Sequence, residues 1–409
     1  MTHLTRAEFL RLTLGAFAFP RPPEGRHYVQ PAAGGGRGEQ VARLIQEYEA
    51  QGFHRTATEV DNQSARWLAD VATRAGADVQ LEAFSLKRVD VGSAFVEADG
   101  HRAEGVPFFD GSFTTPEGFL GRLNTNIVLT SIDTAGISTE GQSLATLRRS
   151  TIHRAIVAVT NGAHPGLSVS NAIAFTSPYG LPVLQVPSEE QRWLTEGAAA
   201  GREMRFVLDA RRTPAQAFNV VASIRGSNRA LDPVVVMTPR SGWWHCASER
   251  GGGLACWVEA IRAVAAAGPK RSLIAIATSG HELGHLGLDE YLAKQAGLIK
   301  RATWIHLGAN IGAARGVPRL QASDDEIEKM ADAALSRAGA EVRQRVPRGT
   351  RPGGEARNIH DGGGRYVSLL GNGPYFHNVA DRWPVAVDAA AVIRFSEAFG
   401  NLAVSLANM

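Results

Sequence analysis

Residues 272–292 read SLIAIATSGHELGHLGLDEYL. A continuous apolar run of this kind, rich in isoleucine and closed by Ser-Gly, reads as a strand buried on both faces of a sheet, and the residues after it have helical spacing. Inside the stretch His281, Glu282, Leu283, Gly284 and His285 spell H-E-x-x-H. That signature serves zinc proteolysis only when both His side chains share one face of a continuous helix, so that they hold the metal while the Glu activates its water. Here His281 comes directly after the strand, so Glu282 falls at a strand-to-helix turn and the shared face is not assured. The longer metzincin pattern is absent as well, because Gly287 comes one residue early and no further His stands at the required distance. The stretch is better read as one strand–turn–helix unit of a layered domain.

The same pattern extends outward. PVVVMTP (233–239) is a second continuous apolar run, and GGLACWVEAIRAVAAAG (252–268) places Leu254, Trp257, Val258, Ile261 and Val264 on one helical stripe. Strand patterns recur at 302–307 and 365–371, and helical ones at 324–339 and 387–407. This alternation predicts a three-layer α/β/α domain on a mostly parallel mixed sheet, with ligands at the C-terminal strand edge. Upstream, 38–52 and 61–76 read as helices and 78–86 as a strand. Between 90 and 212 short β-like runs are broken by Gly, Pro and Ser, which predicts a β-rich insertion. The expected division is a leader and flexible joint at 1–37, the first part of the α/β domain at 38–89, the insertion at 90–212, and the main part at 213–409.

The 43 basic and 40 acidic residues leave a formal charge of +3, too small for a nucleic-acid footprint on this length. A peptide or small-molecule partner is expected instead. Cys246 and Cys256 are the only cysteines, which argues against a disulfide scaffold and for free thiols, with a single bridge between them as the alternative. The N-terminus has a basic start, the apolar run LTLGAFAF (12–19) and a Pro-rich exit, the outline of an export segment. Ala7 stands where a twin-arginine signal has its second Arg, and a frayed helix of a cytoplasmic protein is the alternative. No later segment reads as long and apolar enough to span a bilayer.

Taken together, TSGHELGHLGLDEYL, NVVASIRGS (219–227), the Gly-rich helix start at 251–253 and GNGPYFHNVADRWPVAVD (371–388) resemble segments of the catalytic domain of the zinc aminopeptidases. That family includes bacterial leucine-type aminopeptidases, glutamate carboxypeptidases and glutaminyl cyclases. RAIVAVTNGAHPG (154–166) and YGLPVLQVPSEE (179–190) are similar to the protease-associated domain often inserted there. The resemblance implies peptidase-like chemistry on two zinc ions held by five ligands, with a Glu-Glu pair as base and ligand. Carried onto this chain, the early His falls on Pro239 and the Asp after it near Ser241. The bridging Asp becomes Glu249, the Glu-Glu pair becomes His281-Glu282, the later Asp falls near Gly308, and the final His is His377. The resemblance therefore implies at most one zinc, on Glu249, Glu282 and His377, with His281 as the base. Three ligands and an open position suit a catalytic zinc, and an imidazole can do the proton transfer.

Other residues are candidates around that centre. Arg240 and Arg250 would clamp a substrate carboxylate or simply face solvent. Trp243 and Trp244 would wall a pocket or fill the core. His245, His285, His306 and His360 would supply a missing ligand or be structural, and Asp381 would orient His377. Ser248 and Cys246 are weaker candidates as nucleophiles. Gly251, Gly252 and Gly253 suit either an anion at the helix start or close packing. Three readings stay open: a single-zinc hydrolase or acyl-transfer enzyme on peptides or small amides, a metal-free relative that binds such a ligand, and metal-free catalysis in the same cleft.

Overall fold

The computed structural model describes residues 36–133 and 142–409, so the expected export segment lies outside the described residues. Helices α1 (Arg37–Glu49) and α2 (Glu59–Arg74) come first, α2 capped by Thr58, whose side chain accepts from Asp61 N. Strands β1 (Asp78–Ala98), β2 (His101–Glu104), β3 (Val106–Pro107), β4 (Phe119–Arg122) and β5 (Ile127–Asp133) follow. Next come α3 (Gln142–Arg148), β6 (Ala155–Asn161), β7 (Val183–Val186), α4 (Gln191–Ala199) and β8 (Glu203–Ile224). The remainder is β9 (Val234–Pro239), α5 (Gly251–Ala267), β10 (Leu273–Thr278), α6 (Leu286–Lys294), α7 (Leu298–Arg301) and β11 (Thr303–Leu307). It ends with β12 (Arg319–Ala322), α8 (Asp325–Arg337), β13 (Gln344–Arg345), α9 (Ala356–Asp361), β14 (Arg365–Leu370) and α10 (Ala389–Ala407).

The large sheet runs β13-β12-β14-β11-β9-β10-β8-β1-β2, with β4 on β8. Its centre, β10, β9, β11 and β14, is parallel; β8 and β12 join antiparallel on either side. Alternation along the central strands divides the core. Val234 and Val236 of β9 pack with Leu254, Trp257 and Phe399 of the α5/α10 layer, whereas Val235 and Met237 pack with Leu288, Tyr291 and Ile359 of the opposite layer. Helices on both faces explain why β9 and β10 are apolar through most of their length, and the three-layer expectation holds.

Two expectations change. The boundaries drawn at 90 and 212 fall inside one antiparallel ladder, in which β1 and β8 pair from Asp78↔Ser223 to Glu97↔Arg205 with a single shift between Val91 and Ser93. Lys87, Arg88 and Pro214 look like strand breakers in sequence, yet Lys87 and Pro214 face each other in register. There β8 has lost β10 as a neighbour, whose pairing stops at Val220, so Pro214 sits on a locally open edge. The segment between β1 and β8 hangs on this ladder, with a second sheet ordered β3-β7-β6-β5 and its own buried clusters. The second change concerns α10, which is long and apolar enough by composition to cross a membrane, contrary to the expectation for the later segments. Val392, Phe395, Phe399, Leu402 and Leu406 are buried in the main core, which is where that composition is used.

Candidate binding and catalytic site

The chain leaves the parallel strands at Pro239, Thr278, Leu307 and Leu370, and the chemically active side chains gather on the loops beyond them. After β10, residues His281–Leu283 form one 3-10 turn, with Gly280 at φ 83°, Gly284 at φ 88° and His285 at φ 69° around it. Left-handed backbone at three positions interrupts any α-helix, and α6 starts only at Leu286. The H-E-x-x-H letters thus lie on a turn. The His281 and His285 rings stack at 4.9 Å instead of facing a common metal position from successive helical turns.

At the centre, Glu249 Oε1 meets Arg250 Nη2 at 2.9 Å and His377 Nε2 at 3.3 Å. Arg250 Nε donates to the Ser241 carbonyl at 2.6 Å. All three side chains are buried. Burial alone would raise the Glu249 pKa, but the Arg250 charge and His377 outweigh it and hold the carboxyl at about 2. Arg250 is itself held above its ordinary value although burial works against it, because Glu249, Cys246, Tyr48 and Glu282 surround it with negative or ionisable groups.

Glu282 faces elsewhere. Its Oε2 accepts from Ser241 Oγ at 2.6 Å, and its Oε1 accepts from Thr56 Oγ1 at 2.5 Å and Thr56 N at 3.1 Å. Among the described residues no three His, Cys, Asp or Glu side chains form a group able to hold a metal ion. Glu249 and His377 are brought together, but the expected ligand set with Glu282 is not assembled. Hydroxyls and an amide occupy Glu282, whereas Glu249 Oε1 is ion-paired with the Arg250 guanidinium without a hydrogen bond, and both ring nitrogens of His377 lack a hydrogen-bond partner.

His281 points into a different space. It lines a cavity of about 230 Å³ together with His285, Asn171, Asn310 and three arginines. Its Nδ1 lies 3.5 Å from Glu355 Oε1, which also accepts from Thr278 Oγ1 at 2.6 Å. Burial, and then the Arg250 charge, push its pKa well below the usual histidine value, so the ring is neutral at neutral pH. Glu282 borders a separate, smaller hollow with Thr56, Trp243 and Phe109. Adjacent residues of one turn therefore serve two compartments.

The remaining candidates are mostly structural. Arg240 is buried against Asp61 at 2.8 Å and donates to the Phe218 carbonyl, so it does not reach a ligand. Trp243 stacks on Phe109 at 4.6 Å, and its indole N–H donates to Asn171. Trp244 donates to the His377 carbonyl at 2.8 Å. His245 Nδ1 bonds the Glu49 carbonyl, and His306 Nδ1 bonds Ser368 Oγ at 2.8 Å. Asp381 accepts from the backbone N–H groups of Ser248 and Glu249, so it fixes the Glu249 turn and not the His377 ring. Its burial carries the pKa up to about 7. Burial, followed by Glu249, raises the Cys246 thiol, which argues against a nucleophile there. The three glycines serve close packing: a Cβ on Gly252 would sit 1.8 Å from the Ile311 carbonyl oxygen.

The segment between β1 and β8 forms one wall of the site. Val169 N donates to the His377 carbonyl and Ala172 N to the Glu282 carbonyl. Thr56, Asn171, Asn310, Arg319 and Glu355 belong to the site and carry no signal in the sequence. Each comes from a separate loop or strand end with no spacing that links it to the others.

No family model matches the chain, and no curated protein matches it in sequence. Solved structures do match in shape. A zinc aminopeptidase from Bacillus subtilis superposes with a TM-score of 0.75 at 15% identity, covering 91% of this chain and 95% of that one. A peptidase M28 precursor from Shewanella amazonensis gives 0.69 at 15% identity, with coverage of 91% and 96%. An aminopeptidase from Aneurinibacillus sp. strain AM-1 gives 0.65 at 14%, with coverage of 91% and 94%. The chain has the zinc aminopeptidase-like fold.

Proposed function

We propose that the chain is a metal-independent relative of the aminopeptidase fold that binds a peptide or small amino-acid-like amide in the cavity beside His281. The observation that carries this reading is the Arg250 guanidinium, buried against Glu249 Oε1 and the Ser241 carbonyl. Glu249 and His377 are the positions at which the family resemblance implies metal ligands, and the cation beside Glu249 here is a side chain. The donor arrangement does not fit a zinc ion, so no step is assigned to one. Fold carries no guarantee of chemistry, and the single-zinc hydrolase reading lacks its third ligand.

The test is calorimetric titration of the purified, chelator-treated protein with alanyl-alanine and acetyl-alanyl-alanine amide, alongside metal analysis and melting curves with added zinc. Binding that survives chelator, with no rise in melting temperature from zinc, is the expected result. Stoichiometric zinc whose removal abolishes peptide binding would refute it.

Metal-free catalysis is the second reading, and one observation favours it. His281 is neutral, opens on the cavity and has Glu355 behind it, the arrangement of a base with an orienting carboxylate. It requires peptide turnover in chelator that disappears in His281→Ala. We also read the part of residues 90–212 beyond the β1/β8 pairing as a protease-associated-like insertion that walls the cleft, and the N-terminus as an export segment. The precursor among the structural neighbours is in keeping with export.

A further inference from the structure

The wall of the larger cavity contains three guanidinium groups, those of Arg319, Arg351 and Arg357, and no carboxylate. Arg351 is already occupied, since its Nε and Nη2 both donate to the carboxylate of Asp361. The other two differ. Arg319 opens β12, which runs antiparallel to β14 and so brings its first residue to the sheet edge where the site lies. Its Nε is shut off from solvent with no hydrogen-bond partner, and burial alone lowers its pKa, with no carboxylate acting on it. Arg357, second in α9, has no ion-pair partner among the described residues. Burial first, then the Arg351 charge, lowers its pKa, and Asp361 and Asp289 offset only part of that.

Guanidinium groups taken partly out of water are costly unless an anion compensates them. Elsewhere this chain supplies that anion, as Asp110 does for Arg148, Asp61 for Arg240 and Glu249 for Arg250. Two cations without an ion-pair partner in one cavity wall point to an anion brought by the ligand. Asn310 adds a second requirement. It lines the same cavity, is buried, and its Oδ1 lacks a hydrogen-bond partner. The wall therefore asks for a negative group and an N–H donor from what fills the cavity. Gly353, Gly354 and Gly371 also line it and let a ligand main chain come close.

We propose that Arg319 and Arg357 form a subsite for the free C-terminal carboxylate of a peptide, with Asn310 Oδ1 accepting the N–H of the terminal residue. The inference rests on the peptide-binding reading above and deepens it. A planar fork matches a carboxylate bidentately, which gives selectivity over a neutral amide.

The experiment compares acetyl-alanyl-alanine as free acid with its C-terminal amide, by calorimetry on the full chain at neutral pH, with succinate and inorganic phosphate as further probes. The free acid is expected to bind at least roughly 10-fold more tightly than the amide, the size of one charge-assisted hydrogen bond or more. Arg319→Gln and Arg357→Gln should each weaken the acid by roughly 10-fold and leave the amide unchanged. The acid-to-amide comparison uses the wild-type protein and stands even if a variant folds poorly. Equal affinity for acid and amide overturns the subsite, as does an unchanged acid affinity in both variants, or phosphate binding more tightly than the acid. If both peptides fail while succinate binds with the same arginine dependence, the peptide reading falls and the carboxylate subsite stands. If succinate fails too, the subsite falls with it.

Discussion

Removing one charge of the Glu249–Arg250 pair gives the sharpest test of how the centre is held. A carboxyl kept at about 2 instead of 4.5 corresponds to about 3 kcal/mol of preference for its ionised form. Because the folded pKa is depressed, that contribution is complete above the unfolded value, is lost progressively as pH falls from about 4.5 to about 2, and is fully present at pH 7. Glu249→Gln leaves the Arg250 cation buried without its partner, and Arg250→Met leaves the carboxylate in the same position. Each should cost about 3 kcal/mol or slightly more, the usual penalty for orphaning a buried charge. The double variant removes both charges and should be no less stable than either single one, a coupling of about 3 kcal/mol. Urea unfolding of the four proteins, monitored by tryptophan fluorescence at Trp243 and Trp244 beside the pair, measures this cycle. Additive losses, with the double variant down by about 6 kcal/mol, would refute the claim that the guanidinium and the carboxylate compensate each other.

Two further outcomes rest on the same geometry. His285 is pushed down to about 4 by burial and then by His281, so between pH 6.5 and 4 the unfolded chain takes up a proton that the folded one refuses, and stability falls on acidification. Asp381, raised to about 7, works in the opposite sense over pH 7 to 3.8. In His285→Asn the loss between pH 7 and pH 5 should shrink by about 2 kcal/mol, read from urea midpoints at the two pH values; an unchanged difference would contradict the burial argument. Gly252→Ala places a methyl 1.8 Å from the Ile311 carbonyl oxygen and should cost about 3 kcal/mol or prevent folding; a melting temperature equal to wild type would mean that α5 has room it does not show.

The layered fold is legible in the sequence because its evidence is local. The runs at 233–239 and 272–280 are apolar at every position but their ends, and the stripe from Leu254 to Val264 has helical period. The H-E-x-x-H letters separate from a helix because a strand runs straight into them, with Gly280 at the junction. The long β1/β8 ladder is hidden since Lys87, Arg88 and Pro214 are poor strand residues, and only pairing across more than a hundred positions makes them one. Arg250 is visible but easily misjudged as a surface group or a substrate clamp. An arginine at the start of a helix faces the unfavourable end of the dipole, so its placement there calls for a carboxylate, and Glu249 is the neighbouring residue. Arg319 and Arg357 give no such hint, since a missing counter-charge is a property of the folded surroundings and leaves no spacing to read.

The 21-residue and 22-residue strands β1 and β8 give the segment between them the mechanics of a cantilever. Its root is the central sheet and its tip carries the smaller one, with the Val91/Ser93 register shift as the single soft point along the beam. Hinged domains rotate on flexible linkers at little cost; a paired ribbon transmits torque. A ligand that displaces the wall at Val169 and Ala172 therefore loads the β1/β8 ladder, with the register shift as the place where it bends first.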